Sequence, residues 1–292
     1  MASHALHRPA LNWYSANARD LPWRRPGVDG WAVLVSEVML QQTPVPRVLG
    51  PYDAWLKRWP TPAALAADSP GEAVRMWGRL GYPRRALRLH AAAQRCVDDH
   101  GGRVPSGRAD LEALPGVGPY TAAAVAAFAY RQRQAVLDTN VRRVLARVLD
   151  GLEYERPGAA TGAEIRRAEA LLPGRAETAA TWSVAVMELG ALICTAKSPA
   201  CDVCPLAGSC AWKLAGRPGW TGKPRRGQTY AGTDRQARGR LLERLRETSG
   251  PVRAAALEAV WKDPDQRTRA LDSLVADGLV ESLSRTRYRL PR

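Results

Sequence analysis

The chain has 292 residues, with 43 Lys and Arg against 28 Asp and Glu, and a formal net charge of +15. Hydrophobic residues make up 46% of it, which is enough to bury a core and excludes a disordered basic tail, and the length suits roughly two domains. No run approaches the ~18–20 apolar residues of a bilayer span, and Met1–Ala10 lacks the apolar stretch of a secretion signal, so a soluble intracellular protein is expected.

A charge surplus of this size points to a polyanionic partner, with nucleic acid the leading choice over mere solubility. The cations are 38 Arg and only five Lys (Lys57, Lys197, Lys213, Lys223, Lys262). Arginine favours bidentate phosphate contacts, and the shortage of lysine leaves few candidates for an amine nucleophile.

Residues 1–27 form a polar lead-in ending in LPWRRPG. From Trp31 to about Ala129 the pattern predicts short helices, broken at Pro44/Pro46, Pro60–Pro62, Ser69–Gly71, Gly81–Pro83, Gly101-Gly102 and Pro115-Gly116. The first of these helices, WAVLVSEVML, is apolar nearly all round apart from Ser36 and Glu37. Glu37 has Val33 and Leu34 one turn before it and Leu40 and Gln41 one turn after. Desolvation there is expected to raise a carboxyl's pKa toward the range of a general acid. A helical Glu is usually a solvated surface charge, but this helix offers little polar face for one. Cys96 falls at an apolar position of the helix through Ala86–Val97 and reads as a core residue.

In LPGVGPYT (114–121), a short helix at 110–114 runs into a Gly-x-Gly turn, and Pro119 opens the next helix at its first position. The glycines let backbone N–H groups approach a phosphate, so this is read as a helix-hairpin-helix that grips the nucleic-acid backbone through Leu114, Gly116, Val117 and Gly118. A plain turn between two helices is the simpler alternative. In AVLDTNVRR (135–143), Asp138 or Thr139 could do no more than cap the following helix. Further helices are expected at 139–150, 161–172 and 179–192, with no strand before residue 278.

Four of the five cysteines are spaced Cys194-x6-Cys201-x2-Cys204-x5-Cys210. Four clustered thiolates suit either a tetrahedral zinc or an iron–sulfur cluster, and the spacing leaves both open. Residues 216–233 read as a basic linker. Beyond them, Leu241, Leu242 and Leu245, then Ala256, Leu257, Val260 and Trp261, then Leu271, Leu274 and Val275 mark three helical faces, and Val280–Leu283 with Arg287–Leu290 a hairpin. That order is winged-helix-like. This tail, residues 221–292, carries +7 of the +15 in a quarter of the length, and Arg285, Arg287 and Arg289 alternate along its hairpin.

Taken together, SEVMLQQT, LGY, LPGVGPYTAAAV, LDTNVRRVLAR and the cysteine loop resemble the MutY-type adenine DNA glycosylases of the helix-hairpin-helix superfamily, relatives of endonuclease III. The resemblance covers roughly residues 10–230. It implies a mainly α fold with a six-helix domain at 28–135 and an iron–sulfur domain built from 1–27 and 136–215. The linker at 216–233 and the winged-helix-like module at 234–292 would follow. DNA and the target base would be held in a cleft between the two helical domains. The resemblance also implies a [4Fe–4S] cluster on Cys194, Cys201, Cys204 and Cys210.

By the same resemblance, Glu37 protonates the adenine and Asp138 stabilises the cationic sugar, the two-carboxylate logic of glycoside hydrolysis. Tyr120 and Asn140 line that site, while Gln42, Thr43 and Tyr82 enter the duplex around an extruded base. Endonuclease III-like enzymes carry a lysine at the position of Tyr120, so a monofunctional enzyme that leaves an abasic site is expected. The expected setting is a cytoplasmic, nucleoid-associated monomer acting on double-stranded DNA with a mispair. Three departures stand out. Pro83 follows the Tyr of LGY where many members have a second aromatic. Val184 stands where members often place an amide or carboxylate. The short tail replaces the Nudix-like β domain that reads 8-oxoguanine. A thymine/uracil mismatch glycosylase and a non-catalytic iron–sulfur DNA-binding protein are the competing readings, and retention of Glu37 and Asp138 argues against the latter.

Overall fold

Many helix ends are set by their own local sequence. Ser69, Thr61, Thr161, Thr233 and Asp263 each N-cap a helix by accepting a backbone N–H three residues on, and Pro62, Pro70 and Pro264 stand just inside helix starts. A computed structural model describes residues 4–222 and 230–292. The anticipated 216–233 linker therefore lies partly outside the described residues. In chain order the helices begin with α1 (His4–Asn17), α2 (Gly30–Leu40), α3 (Val45–Arg58), α4 (Pro62–Ala66) and α5 (Pro70–Trp77). Next come α6 (Arg84–His100), α7 (Arg108–Ala113), α8 (Pro119–Phe128), α9 (Thr139–Leu145) and α10 (Gly162–Leu171). The last are α11 (Ala176–Leu192), α12 (Ala211–Leu214), α13 (Asp234–Arg246), α14 (Ala254–Glu258) and α15 (Pro264–Ala276). None of these described helices is long and apolar enough to cross a membrane.

Two compact units result. The first comprises Met1–Val33, Ser106–Glu112 and Val117–Pro224. In it α11 packs against α1, α8 and α9, burying Leu6, Ala10, Val141, Val144, Trp182 and Leu189. A buried ion cluster ties the N-terminal lead-in to α11. Glu188 is fully buried and accepts from Arg19 Nε (2.6 Å) and Nη2 (2.7 Å) and from Arg24 Nη1 (2.8 Å). Burial pushes the Glu188 carboxyl up, but the hydrogen bonds and charges of the two arginines outweigh it and hold the pKa low.

The second unit comprises Leu34–Pro105, Ala113–Gly116 and Arg225–Arg292. Helices α4 and α5 pack on α6. Trp55 sits edge-on to Trp59 and Trp77, with centroids 4.6 and 5.7 Å apart, at the centre of this core. Cys96 is buried as expected, and burial pushes its thiol up to about 11.

The C-terminal segment in this unit has the winged-helix order: α13, strand β1 (Val252–Arg253), α14, α15, then the hairpin β2 (Glu281–Ser284) and β3 (Arg287–Arg289). The sheet order is β1-β3-β2 and both pairings are antiparallel. The sequence pattern missed β1, because a two-residue strand carries no alternation and exists only through its pairing with β3. It also placed Val260 and Trp261 on the second helix, whereas α14 ends at Glu258. The segment is anchored to the helices before it. Arg246 is half-buried and donates to Val74 O (2.9 Å) and Gly78 O (2.6 Å), and Arg75 donates to Arg246 O. Gly71 leaves room for the chain end, since a Cβ there would lie 2.2 Å from Pro291 O. Desolvation lowers the Arg246 guanidinium to about 10, offset only in part by the Glu243 charge.

Candidate active site

Helix α2 presents the first carboxylate. Val35, Val38 and Met39 are buried around it, and Glu37 itself is 6% exposed, so the side chain is desolvated as its neighbours imply. The helix ends at Leu40, and Gln42 follows in the left-handed region at φ +56°. Tyr82 adopts φ +46° in the turn between α5 and α6 and is 53% exposed. Left-handed backbone is costly for side chains other than Gly and Asn, so two such residues must be held in place by their surroundings.

Arg85 does this. It is buried, and its Nη1 donates to Val38 O (2.8 Å), Met39 O (3.0 Å) and Gln41 O (2.7 Å). Its Nη2 donates to Thr43 Oγ1 (3.0 Å), Leu80 O (3.3 Å) and Gly81 O (3.0 Å). One guanidinium thus takes the last carbonyls of α2 and the carbonyl preceding each left-handed residue. Its plane lies over the Trp77 and Tyr82 rings, at 5.1 and 5.6 Å, and burial lowers its pKa to about 10. Thr43 is buried and spends its hydroxyl on Leu80 O (3.2 Å), so it braces the two turns rather than facing outward. Replacing Arg85 with Ala orphans these carbonyls and is expected to cost about 3 kcal/mol in urea unfolding. A loss below ~1 kcal/mol would show that water replaces the guanidinium freely.

The helix-hairpin-helix reads as expected along the chain, with α7 and α8 joined by the Gly-x-Gly turn. Gly116 has φ +81°, and a Cβ there would fall 2.7 Å from the Arg88 Cβ, so both conformation and space require glycine. Gly118 is exposed at the N-cap of α8 with open space around it. Leu114 and Val117 are buried at 3% and 6%, so only their backbone is available to a ligand.

The second carboxylate lies at the start of α9 in the first unit. Asp138 Oδ1 accepts the Val141 N–H at 2.7 Å, which is the simple capping role, but Oδ2 also accepts Asn140 Nδ2 at 2.7 Å. Asn140 Oδ1 in turn accepts Arg143 Nη2 at 2.8 Å. Arg143 also donates to Gly190 O (2.6 Å) and Cys194 O (2.8 Å), and Arg147 donates to Cys194 Sγ (3.2 Å). A continuous polar chain therefore runs from the carboxylate to the cysteine loop. Gly190 makes its closest approach possible, since a Cβ there would stand 2.8 Å from the Asn140 Cβ and O. Burial raises the Asp138 pKa, only partly offset by the Val141 and Asn140 hydrogen bonds and the Arg143 charge. Tyr120, in the first turn of α8, packs on the cluster of Ala123, Ala124, Ala127, Val136 and Ala180. Val184 is 8% exposed on α11, where it has no polar group to offer.

Sequence reasoning missed Arg85 and the Arg143–Arg147 pair. The second had a signal, because Arg143 is three residues beyond Asn140 and so shares its helix face. Arg85 had none, since its acceptors are backbone carbonyls up to 47 residues away.

Cys194, Cys201, Cys204 and Cys210 line one pocket, whose other walls include Val148, Leu189, Ile193, Leu206 and Trp212. Burial, together with the neighbouring thiols, pushes the Cys204 thiol up to about 11. Such crowding suits a cationic iron core, which binds thiolates and removes their protons. Among the described residues no three such side chains close around a single ion. The four thiols surround a pocket, and this lining fits an iron–sulfur core. When bound, the cluster cross-links the loop to the core of the first unit. Cys204→Ser is expected to lose the visible absorbance and most of the iron, and to lower the melting temperature. Full iron content with an unchanged melt would remove Cys204 from the ligand set.

Comparison with known proteins agrees with this geometry. Residues 35–155 match the family described as HhH-GPD superfamily base excision DNA repair protein, and residues 194–210 match the iron-sulfur binding domain of endonuclease III. The chain thus carries a [4Fe–4S] cluster, and the matched segment contains all four cysteines. The chain is 54% identical over 289 residues to the adenine DNA glycosylase of Mycobacterium tuberculosis (strain CDC 1551 / Oshkosh), covering 99% of this chain and 94% of that protein. It is 37% identical over 200 residues to the thymine/uracil-DNA glycosylase of Pyrobaculum aerophilum, covering 68% of this chain and 86% of that one. A solved structure of a thermostable thymine-DNA glycosylase superposes with TM-score 0.66 at 28% identity, over 73% of this chain and 97% of that chain. With both motifs in place and a relative of this identity matched along almost its whole length, the chain belongs to the adenine DNA glycosylase family of the helix-hairpin-helix base excision repair proteins.

Proposed function

We propose that this protein is a monofunctional glycosylase that works as a monomer on double-stranded DNA in the cytoplasm, hydrolysing the N-glycosidic bond of adenine mispaired with 8-oxoguanine or guanine. The observation that carries the reading is a pair of desolvated carboxylates, Glu37 and Asp138, in a helix-hairpin-helix chain whose position 120 is Tyr. The bond to be broken lies inside the base stack, so the nucleotide must first be extruded. Gln42 and Tyr82, exposed on left-handed turns pinned by Arg85, are suited to occupy the gap. The hairpin N–H groups near Gly116 and Gly118 hold phosphate.

Glu37 donates its proton to the adenine at N7, so the base leaves neutral, taking the electron pair of the C1′–N9 bond. The sugar is left cationic at C1′, and the Asp138 carboxylate stabilises it. A largely desolvated carboxylate does so strongly, because little water competes for its charge. Water then adds to C1′ and its proton returns to Glu37, leaving an abasic site. Tyr120 offers no amine to attack the sugar, so the strand is not cut.

The rival substrate is thymine or uracil opposite guanine, supported by the 37% identity to a thymine/uracil-DNA glycosylase and by the absence of a polar group at Val184. Duplexes containing A:8-oxoguanine, A:G, T:G and U:G, treated with alkali after reaction, separate the two. Adenine release from the first two is expected. Release only from T:G or U:G would overturn the adenine reading, and strand breaks without alkali would overturn the monofunctional one.

A further inference from the structure

The winged-helix segment distributes its arginines unevenly. Arg238 and Arg269 pair with Asp277 and Asp234, Arg240 and Arg244 with Glu243 and Glu247, and Arg289 with Glu281. Arg246 and Arg267 are spent on backbone carbonyls. Arg253, Arg285 and Arg287 are different. All three are exposed, all lie on or beside the three-stranded sheet, and none has an acidic partner among the described residues. Arg253 and Arg287 are direct cross-strand partners in the β1–β3 register. Like charges directly opposite each other destabilise a strand pair, so the arrangement is costly until an anion lies across it.

The helix that would enter a groove in a typical winged-helix protein has no such free arginines. On helix α15, Asp265 and Asp272 balance Arg267, which is spent on the Trp261 carbonyl, and Arg269, which pairs with Asp234, and Asp263 caps the helix, so it presents no surplus of cation to a nucleic-acid backbone. Unpaired cations at the wing and a charge-balanced third helix favour one mode of engagement, through the wing. The wing is also held to the rest of its unit. Arg246 locks α13 to the Val74 and Gly78 carbonyls, and Arg79 pairs with Glu243 just ahead of the Leu80–Tyr82 turn. Anything the wing grips is therefore gripped by the same unit that carries Gln42 and Tyr82.

We propose that Arg253, Arg285 and Arg287 form a second contact on the phosphate backbone of duplex DNA, made by the wing and independent of sequence. The inference rests on the glycosylase reading above. It replaces the face of alternating hairpin arginines expected from the sequence, because Arg289 is committed to Glu281 (2.7 Å) and Arg253 comes from another strand.

The test is duplex affinity as a function of salt, for the full chain and for the triple variant R253A/R285A/R287A, with Arg240→Ala as the control for a paired arginine. Every phosphate that the protein ceases to neutralise lowers the slope of log K against log salt by about 0.9. The slope of the triple variant should therefore be shallower by roughly two to three, with ~10-fold or more weaker binding near physiological salt. The single-turnover excision rate at saturating enzyme should stay at the wild-type value, and R240A should keep the wild-type slope. An unchanged slope in the triple variant would overturn the wing contact, as would weaker binding to single-stranded RNA or polyglutamate with duplex binding intact. Failure of the wild-type chain to bind duplex DNA at all would instead overturn the glycosylase reading, so the two failures are distinguishable.

Discussion

Asp138→Asn should lower the single-turnover rate of adenine release by roughly 10³-fold or more, with the duplex still bound. Asparagine is close to isosteric, and its side-chain oxygen can still accept the Val141 N–H, so α9 keeps its cap. What disappears is the negative charge next to C1′ as the sugar becomes cationic. The wild-type pH profile carries the same signature. Burial raises the Asp138 pKa, so the folded protein holds that proton to a higher pH than the unfolded chain does. The residue thus costs stability as pH rises through the window between its unfolded and folded values, and the rate, which needs the carboxylate, rises through that same window. An acid limb centred above the ordinary aspartate value of about 3.9 is expected for the wild type. Near-wild-type single-turnover rates in the variant would remove Asp138 from the chemistry and leave it a helix cap.

Glu37→Gln should cost about 10²–10⁴-fold in the same assay, because the amide keeps volume and hydrogen bonding but has no proton to give. A substrate change separates this loss from that of Asp138→Asn. On a nucleotide whose base departs readily without protonation, the Glu37→Gln deficit should shrink while the Asp138→Asn deficit remains. Equal deficits on both substrates would mean that Glu37 acts through structure rather than as the acid. Neither residue is one of the four cysteines, and Arg143 keeps its own bonds to Gly190 O and Cys194 O, so iron content should be unchanged in both.

The contrast between the two carboxylates shows how far local pattern can be read. Glu37 announces itself by its company, because a helix that is apolar all round must be buried and takes its one carboxylate with it. Asp138 has no such company in the sequence, where Asp before a helix reads first as a cap. The fold adds to the cap the Asn140–Arg143–Cys194 chain, which fixes the direction of the carboxylate. Leu114, Val117 and Thr43 show the reverse. The motif places them in the right loops, but packing turns their side chains inward and leaves the outward role to Gln42, Tyr82 and the hairpin glycines.

By itself the sequence determined whatever is encoded within a few residues: the Gly-x-Gly hairpin, the proline and hydroxyl caps, the buried helix around Glu37, and the four cysteines of the cluster loop. These follow from turn conformation, helix periodicity and ligand spacing, which need no distant partner. Only the tertiary structure decided the roles of the buried arginines and the wing. Glu188 meets Arg19 across 169 positions, Arg246 reaches Val74 across 172, and Val252–Arg253 is a strand only because β3 lies beside it. A guanidinium can satisfy any carbonyl the fold brings within reach, so its partners are chosen by packing between segments that have no relation in sequence.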